Sequence, residues 1–230
     1  MSSAILVLTV LYVLAVIAFH ICAIKKQTGT TLVTKTVASA IFVAVGAIGL
    51  MTNPDISLAR YLFAGLCLGL VGDVILAVRN LKPKYKHHCI GAGMISFGIG
   101  HILYLIAIMA NLPNAWISIV IGTVIGALMI ILAPKLKLSY GKLKPFIFFY
   151  SSLLSTMGAA TAIRCFQAPS GLNISLCAAG LLFMLSDALL CGVYFDKNQS
   201  RSTPKFIIAV HVTYYIAQYL IARSIAEFST

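Results

Sequence analysis

The chain's apolar runs are too long for the core helices of a soluble domain and too numerous for a single anchor. Eight of them lie near residues 3–24, 34–51, 59–79, 90–110, 115–133, 145–163, 173–195 and 204–222, each bounded by charges, Gly or Pro. About 20 apolar residues in helical conformation cross the hydrocarbon of a bilayer, where every backbone polar group must find its partner within the segment. Each run therefore predicts a membrane-spanning helix. The connections are short and leave no room for a separate soluble domain. Composition agrees: 60% of the 230 residues are hydrophobic and only 10% are charged, a balance foreign to soluble domains. The expectation is an all-α integral membrane protein with eight transmembrane helices and a single polytopic domain over residues 1–230.

The formal net charge of +12 would suit nucleic acid on a soluble fold, but its distribution points to a membrane. The first, third, fifth and seventh connections carry Lys25, Lys26 and Lys35; Arg79, Lys82, Lys84 and Lys86; Lys135, Lys137, Lys142 and Lys144; and Lys197, Arg201 and Lys205. Only Arg60, Arg164 and Arg223 fall on the other side. The positive-inside rule then places the odd connections in the cytoplasm and both termini outside. The basic loops serve as topology determinants and as contacts to anionic membrane lipids, with no nucleic-acid partner. The first run lacks a basic start, so it reads as a retained helix rather than a cleaved signal. Such a multi-pass protein fits a bacterial inner membrane or, in a eukaryote, the endoplasmic reticulum. Six scattered cysteines show no CxxC pair and no zinc-type His spacing, and they read as small helix packers.

Against this background two carboxylates stand out. Of five acidic residues, only Asp73 and Asp187 fall within the spans. A carboxylate in hydrocarbon costs several kcal/mol, and Asn or Ser would join helices at lower cost, so a functional reading is favoured over simple helix glue. Their surroundings match: VGDVIL (71–76) and LSDALL (185–190) share a small residue before the Asp and a Leu three after it, and the next spans each carry His-x-x-Tyr, at His101–Tyr104 and His211–Tyr214. Four helices separate the copies, which predicts a parallel four-plus-four repeat with halves 1–112 and 113–230.

Depth brings further polar residues into the same layer. Asp73 lies six residues before Arg79, roughly 9 Å from the cytoplasmic end, and Asp187 eight before Phe195, roughly 12 Å from it. His101 falls near the midplane. Tyr150, Ser151, Ser152 and Ser155 occupy the cytoplasmic half of the sixth span. His211, Tyr214, Tyr215 and Gln218 make one stripe on the eighth. On the third span Gly65, Gly69, Gly72 and Asp73 share a face that lets another helix approach closely, and on the fourth Gly93, Phe97, His101 and Tyr104 line up beside Gly100. These groups are expected to line a cavity opening toward the cytoplasmic leaflet.

Two carboxyl groups without a metal cluster or a Ser-His-Asp set suit acid–base chemistry. One holds a proton in the low-dielectric cavity, and the other stays ionised to steady a developing cation or activate water.

VGDVIL (71–76), GMISFGIGHILYL (93–105), GLLFMLSDALL (180–190) and TYYIAQYLIA (213–222) occur together in this order. In them the chain resembles the YhhN-like lysoplasmalogenases, multi-pass hydrolases of ether-lipid metabolism that cleave the vinyl ether bond of lysoplasmalogens. The resemblance implies Asp73 and Asp187 as the catalytic pair. His101, Tyr104, Tyr214, Tyr215 and Gln218 match its pattern and would bind substrate or support the site, and Tyr150 and Ser186 are added to them by their place beside the acids. His211 lies outside the family pattern. The implied partner is a lysophospholipid within the membrane, the implied products are a fatty aldehyde and glycerophosphoethanolamine or glycerophosphocholine, and no metal or organic cofactor is implied. The residues leave open which carboxyl is the acid, with the deeper Asp187 preferred.

The rival reading is a proton-coupled transporter of a small or lipid-like substrate, which parallel repeats and intramembrane acids also suit. An intramembrane aspartyl protease would need Gly-x-Gly-Asp with Tyr-Asp, whereas here Gly69 and Gly72 are one residue too far apart and Ser186 precedes Asp187. A zinc amidase would need three convergent His, and only His101 and His211 lie deep.

Overall fold

The computed structural model describes residues 3–52 and 57–228. It is built of α1 (Ser3–Ile24), α2 (Thr28–Thr52), α3 (Ser57–Leu81), α4 (Lys86–Met109), α5 (Trp116–Leu132), α6 (Lys144–Gln167), α7 (Gly171–Phe195) and α8 (Pro204–Ser224). Single 3₁₀ turns at Pro83–Tyr85 and Gly141–Leu143 lead into α4 and α6. The helices fall on the eight apolar runs, and seven are long and apolar enough to cross a membrane. The exception is α5, whose 17 residues rise only about 25 Å, short of the hydrocarbon thickness of a typical bilayer. The chain ends, expected outside the membrane, lie outside the described residues.

The burial pattern is that of a protein solvated by lipid. Large aliphatic side chains such as Leu6, Ile17, Ile95, Ile102, Val124 and Leu181 face outward, while glycines and polar groups turn toward neighbouring helices, where they allow close approach and hydrogen bonding. Helix α1 is the extreme case: only Tyr12 and Phe19 are buried along it.

Two compact units are present, Met1–Ala107 with Ile221–Thr230, and Ile108–Leu220. In the first, α2 packs on α1 and α3, and α3 meets α4 through the glycine faces read from the sequence. A Cβ at Gly72 would stand 2.7 Å from the Phe97 ring, and one at Gly93 2.8 Å from Leu76 Cδ2. Gly65 backs onto the Tyr104 ring in the same way, and Ser96 Oγ donates to the Leu68 carbonyl at 2.7 Å. In the second unit α6 packs on α5 and α7. There Gly122 and Gly126 of α5 back onto Thr156 and Ser152, and Gly158 of α6 backs onto Met184 of α7.

Lys35 corrects the charge map. Expected in the first connection, it lies two turns inside α2, on a buried stripe with Thr31, Ala38, Ser39, Phe42 and Gly46. The polar segment before the apolar run continues the helix inward, and Lys35 goes with it because an acid on α3 awaits it.

The ends of the second unit are tied by polar contacts. Arg164, near the end of α6, donates to Asn173 Oδ1 at 3.1 Å and to the Ile108 and Ala110 carbonyls at 3.2 and 3.3 Å. Ser170 caps α7 by accepting from Asn173 N at 3.1 Å. At the other end of α7, Asp196 accepts from Ser200 Oγ at 2.7 Å and from the Asn198 and Arg201 amides at 3.1 and 3.2 Å. Ser139 N donates to the Phe195 carbonyl and Lys197 N to the Lys137 carbonyl, so the α5–α6 and α7–α8 connections are laced together.

Candidate active site

The second unit holds the arrangement best suited to chemistry. Asp187 sits on α7 between Ser186 and Ala188, and the Tyr150 hydroxyl of α6 donates to its Oδ2 at 2.6 Å. Asp187 is half-buried and forms part of the wall of a cleft of about 80 Å³. Ile125 and Met129 of α5, Ile147, Ser151, Leu154 and Ser155 of α6, and Met184 and Cys191 of α7 complete much of the lining. Such a volume takes several water-sized groups, and its walls are mostly apolar. A carboxyl group opening onto an apolar cleft, oriented by a phenol, has the composition of a site for proton transfer to a hydrophobic ligand. Among the described residues Asp187 forms no ion pair.

Asp73, in the first unit, is placed differently. It is 1% exposed, and α2 grips both of its oxygens. Lys35 Nζ lies 3.0 Å from Oδ1, and Ser39 Oγ donates to Oδ2 at 2.6 Å. Lys35 and Ser39 are one turn apart and so share a face. Neither was anticipated as a site residue. Their i, i+4 spacing was the available signal, but Lys35 sits at the edge of the apolar run and reads as part of the basic connection before it.

The remaining expected residues fall into two groups, each described within its own unit. His101 and Tyr104 lie in the first, both buried, their rings in edge contact with centroids 5.9 Å apart. Tyr214, Tyr215 and Gln218 lie in the second: Gln218 Nε2 donates to Tyr214 Oη at 3.1 Å, and the Tyr214 ring meets Phe183 at 5.5 Å and Tyr215 at 5.1 Å. Ser186 turns away from the cleft and donates to the Val210 carbonyl at 3.0 Å, joining α7 to α8. His211 Nδ1 bonds the Ile207 carbonyl of its own helix at 2.7 Å. Among the described residues no three His, Cys, Asp or Glu side chains gather as a metal-holding group.

Comparison with protein families gives one match of long extent. The model of the YhhN family matches residues 30–225, which takes in α3 through α8 and nearly all of α2. No solved structure matches the chain.

Proposed function

We propose, since the chain belongs to the YhhN family, that it hydrolyses the vinyl ether bond of lysoplasmalogens by acid–base catalysis with two intramembrane aspartates. The observation that carries this reading is the Asp187 carboxyl in the wall of an apolar cleft, hydrogen-bonded by Tyr150. A lysophospholipid reaches such a cleft from the bilayer with its alkenyl chain among apolar side chains.

In this reading Asp187 is the acid. It delivers its proton to the vinyl β-carbon, the double bond shifts toward oxygen, and an oxocarbenium ion forms. Water then attacks the α-carbon and gives up a proton, which restores the acid. The hemiacetal collapses to a fatty aldehyde and a glycerophosphoethanolamine or glycerophosphocholine, so one water is consumed. The role of second carboxylate, which steadies the cation and activates water, falls to Asp73 in this reading. Tyr150 orients the acid. His101, Tyr104, Tyr214, Tyr215 and Gln218 support the substrate or the helices that hold the two acids.

The wider architecture proposed with this function has eight spans, both termini outside and a four-plus-four repeat within one membrane domain. The repeat is supported by a shared pattern: in each unit the helix before the Asp-bearing helix donates a hydrogen bond to the Asp, Ser39 to Asp73 and Tyr150 to Asp187.

Purified protein incubated with a lysoplasmalogen and with its saturated ether analogue tests the reading. Aldehyde from the first substrate alone identifies vinyl ether hydrolysis. Flux of substrate into proteoliposomes without aldehyde identifies the transporter instead.

A further inference from the structure

Two aspartates within membrane-spanning helices pose the same electrostatic problem, and this protein solves it in two ways. Asp187 receives a neutral phenol and forms no ion pair among the described residues. Asp73 receives a cation. The Lys35 side chain is 9% exposed and that of Asp73 2% exposed, with 3.0 Å between ammonium and carboxylate. A lone ammonium or a lone carboxylate at such depth is strongly disfavoured, and mutual proximity with added hydrogen bonds is what makes the pair tolerable. Ser39 provides the added bond. The arrangement leaves Asp73 no freedom of position, because one face of α2 holds both oxygens.

We propose that Lys35 is a positioning residue for the reaction: together with Ser39 it holds both oxygens of the Asp73 carboxyl group in place. The proposal rests on the hydrolase reading above and deepens it, since it names the residue that sets the position of one of the two acids. A lysine here is not a topology determinant left over from a loop, but the counter-ion of a buried acid.

The test compares K35M, K35R and the double variant K35M/D73N with the wild type, all as the full chain. Aldehyde release from a lysoplasmalogen is one readout. The carbonyl stretch of protonated carboxyl groups, by difference infrared spectroscopy, is the other. K35M is expected to lower kcat roughly 100-fold or more with KM changed less than about three-fold, because the loss is electrostatic rather than a binding contact. K35R keeps a cation and is expected to stay within about ten-fold of wild type. K35M is also expected to gain a protonated-carboxyl band that K35M/D73N lacks. If K35M does not fold while K35M/D73N does, the unpaired buried carboxylate is the cause, and the charged pair stands. A K35M kcat within about three-fold of wild type overturns the positioning role whatever its infrared spectrum. A K35M/D73N variant as active as wild type also overturns it, reducing the pair to a structural tie. If the wild type releases no aldehyde, the hydrolase reading falls. The infrared band alone then decides whether Lys35 keeps Asp73 ionised.

Discussion

Tyr150 on α6 and Asp187 on α7 are joined by a 2.6 Å hydrogen bond from phenol to carboxyl, and both line the same apolar cleft. The bond fixes which oxygen is engaged and leaves Oδ1 for another partner. Replacing Tyr150 with Phe keeps the ring and removes only the donor. The expected result is a fall in aldehyde release of about ten- to a hundred-fold, the range of one hydrogen bond to an ionisable group, with stability changed by about 1 kcal/mol. Steady-state kinetics and thermal unfolding of Y150F in detergent check both values.

Glycines at the α3–α4 contact predict where bulk is refused. At Gly72 a Cβ would meet the Phe97 ring at 2.7 Å, whereas at Gly91 on α4 nothing lies within 4 Å. Gly72→Val is therefore expected to destabilise by about 1–3 kcal/mol through overpacking. Gly91→Ala is expected to stabilise by about 0.4–1 kcal/mol by restricting the unfolded chain. Thermal unfolding of the two variants side by side measures both signs.

The connection after α7 predicts an acid-sensitive tie. The Ser200 hydroxyl, then the Asn198 and Arg201 amides and the Arg201 guanidinium, hold the Asp196 carboxyl below the usual carboxylate range. A folded-state value below the unfolded one means that the carboxylate form stabilises the fold. That contribution is complete above the unfolded Asp value of about 4 and is lost as pH falls through the lower folded value. Asp196→Asn is expected to melt at lower temperature than wild type at pH 7. The gap between the two should close on acidification below about pH 4. Melting curves of both proteins across that range provide the measurement.

Much of the architecture was legible because long apolar runs with basic ends admit few alternatives. The α3–α4 glycine faces were readable too, since i, i+3, i+4 spacing puts them on one side of a helix whatever the partner. The acids were found by their cost in hydrocarbon. Of their partners, Tyr150 was readable as a polar residue in the same layer, but the pairings were not, because Lys35 and Asp73, or Tyr150 and Asp187, meet only through helix packing across 38 and 37 positions of chain. Lys35 was hidden further by its place at the edge of an apolar run, where a basic residue looks like a loop. Asp196 was hidden for the opposite reason: its bonds are local turn chemistry among Asn198, Ser200 and Arg201, invisible to any hydropathy pattern. Helix α5 stops one residue short of its apolar run at each end, where backbone turns take over.

The central claim is that an acid in the cleft of the second unit delivers a proton to carbon, and reaction in D₂O measures that step directly. Wild-type protein given a lysoplasmalogen in D₂O is expected to release aldehyde carrying one deuterium on the carbon next to the carbonyl. Asp187→Asn is expected to remain folded and release aldehyde about 100- to 10,000-fold more slowly, the range for loss of a general acid. Aldehyde without deuterium at that carbon, or an Asp187→Asn variant as active as wild type, would contradict the account.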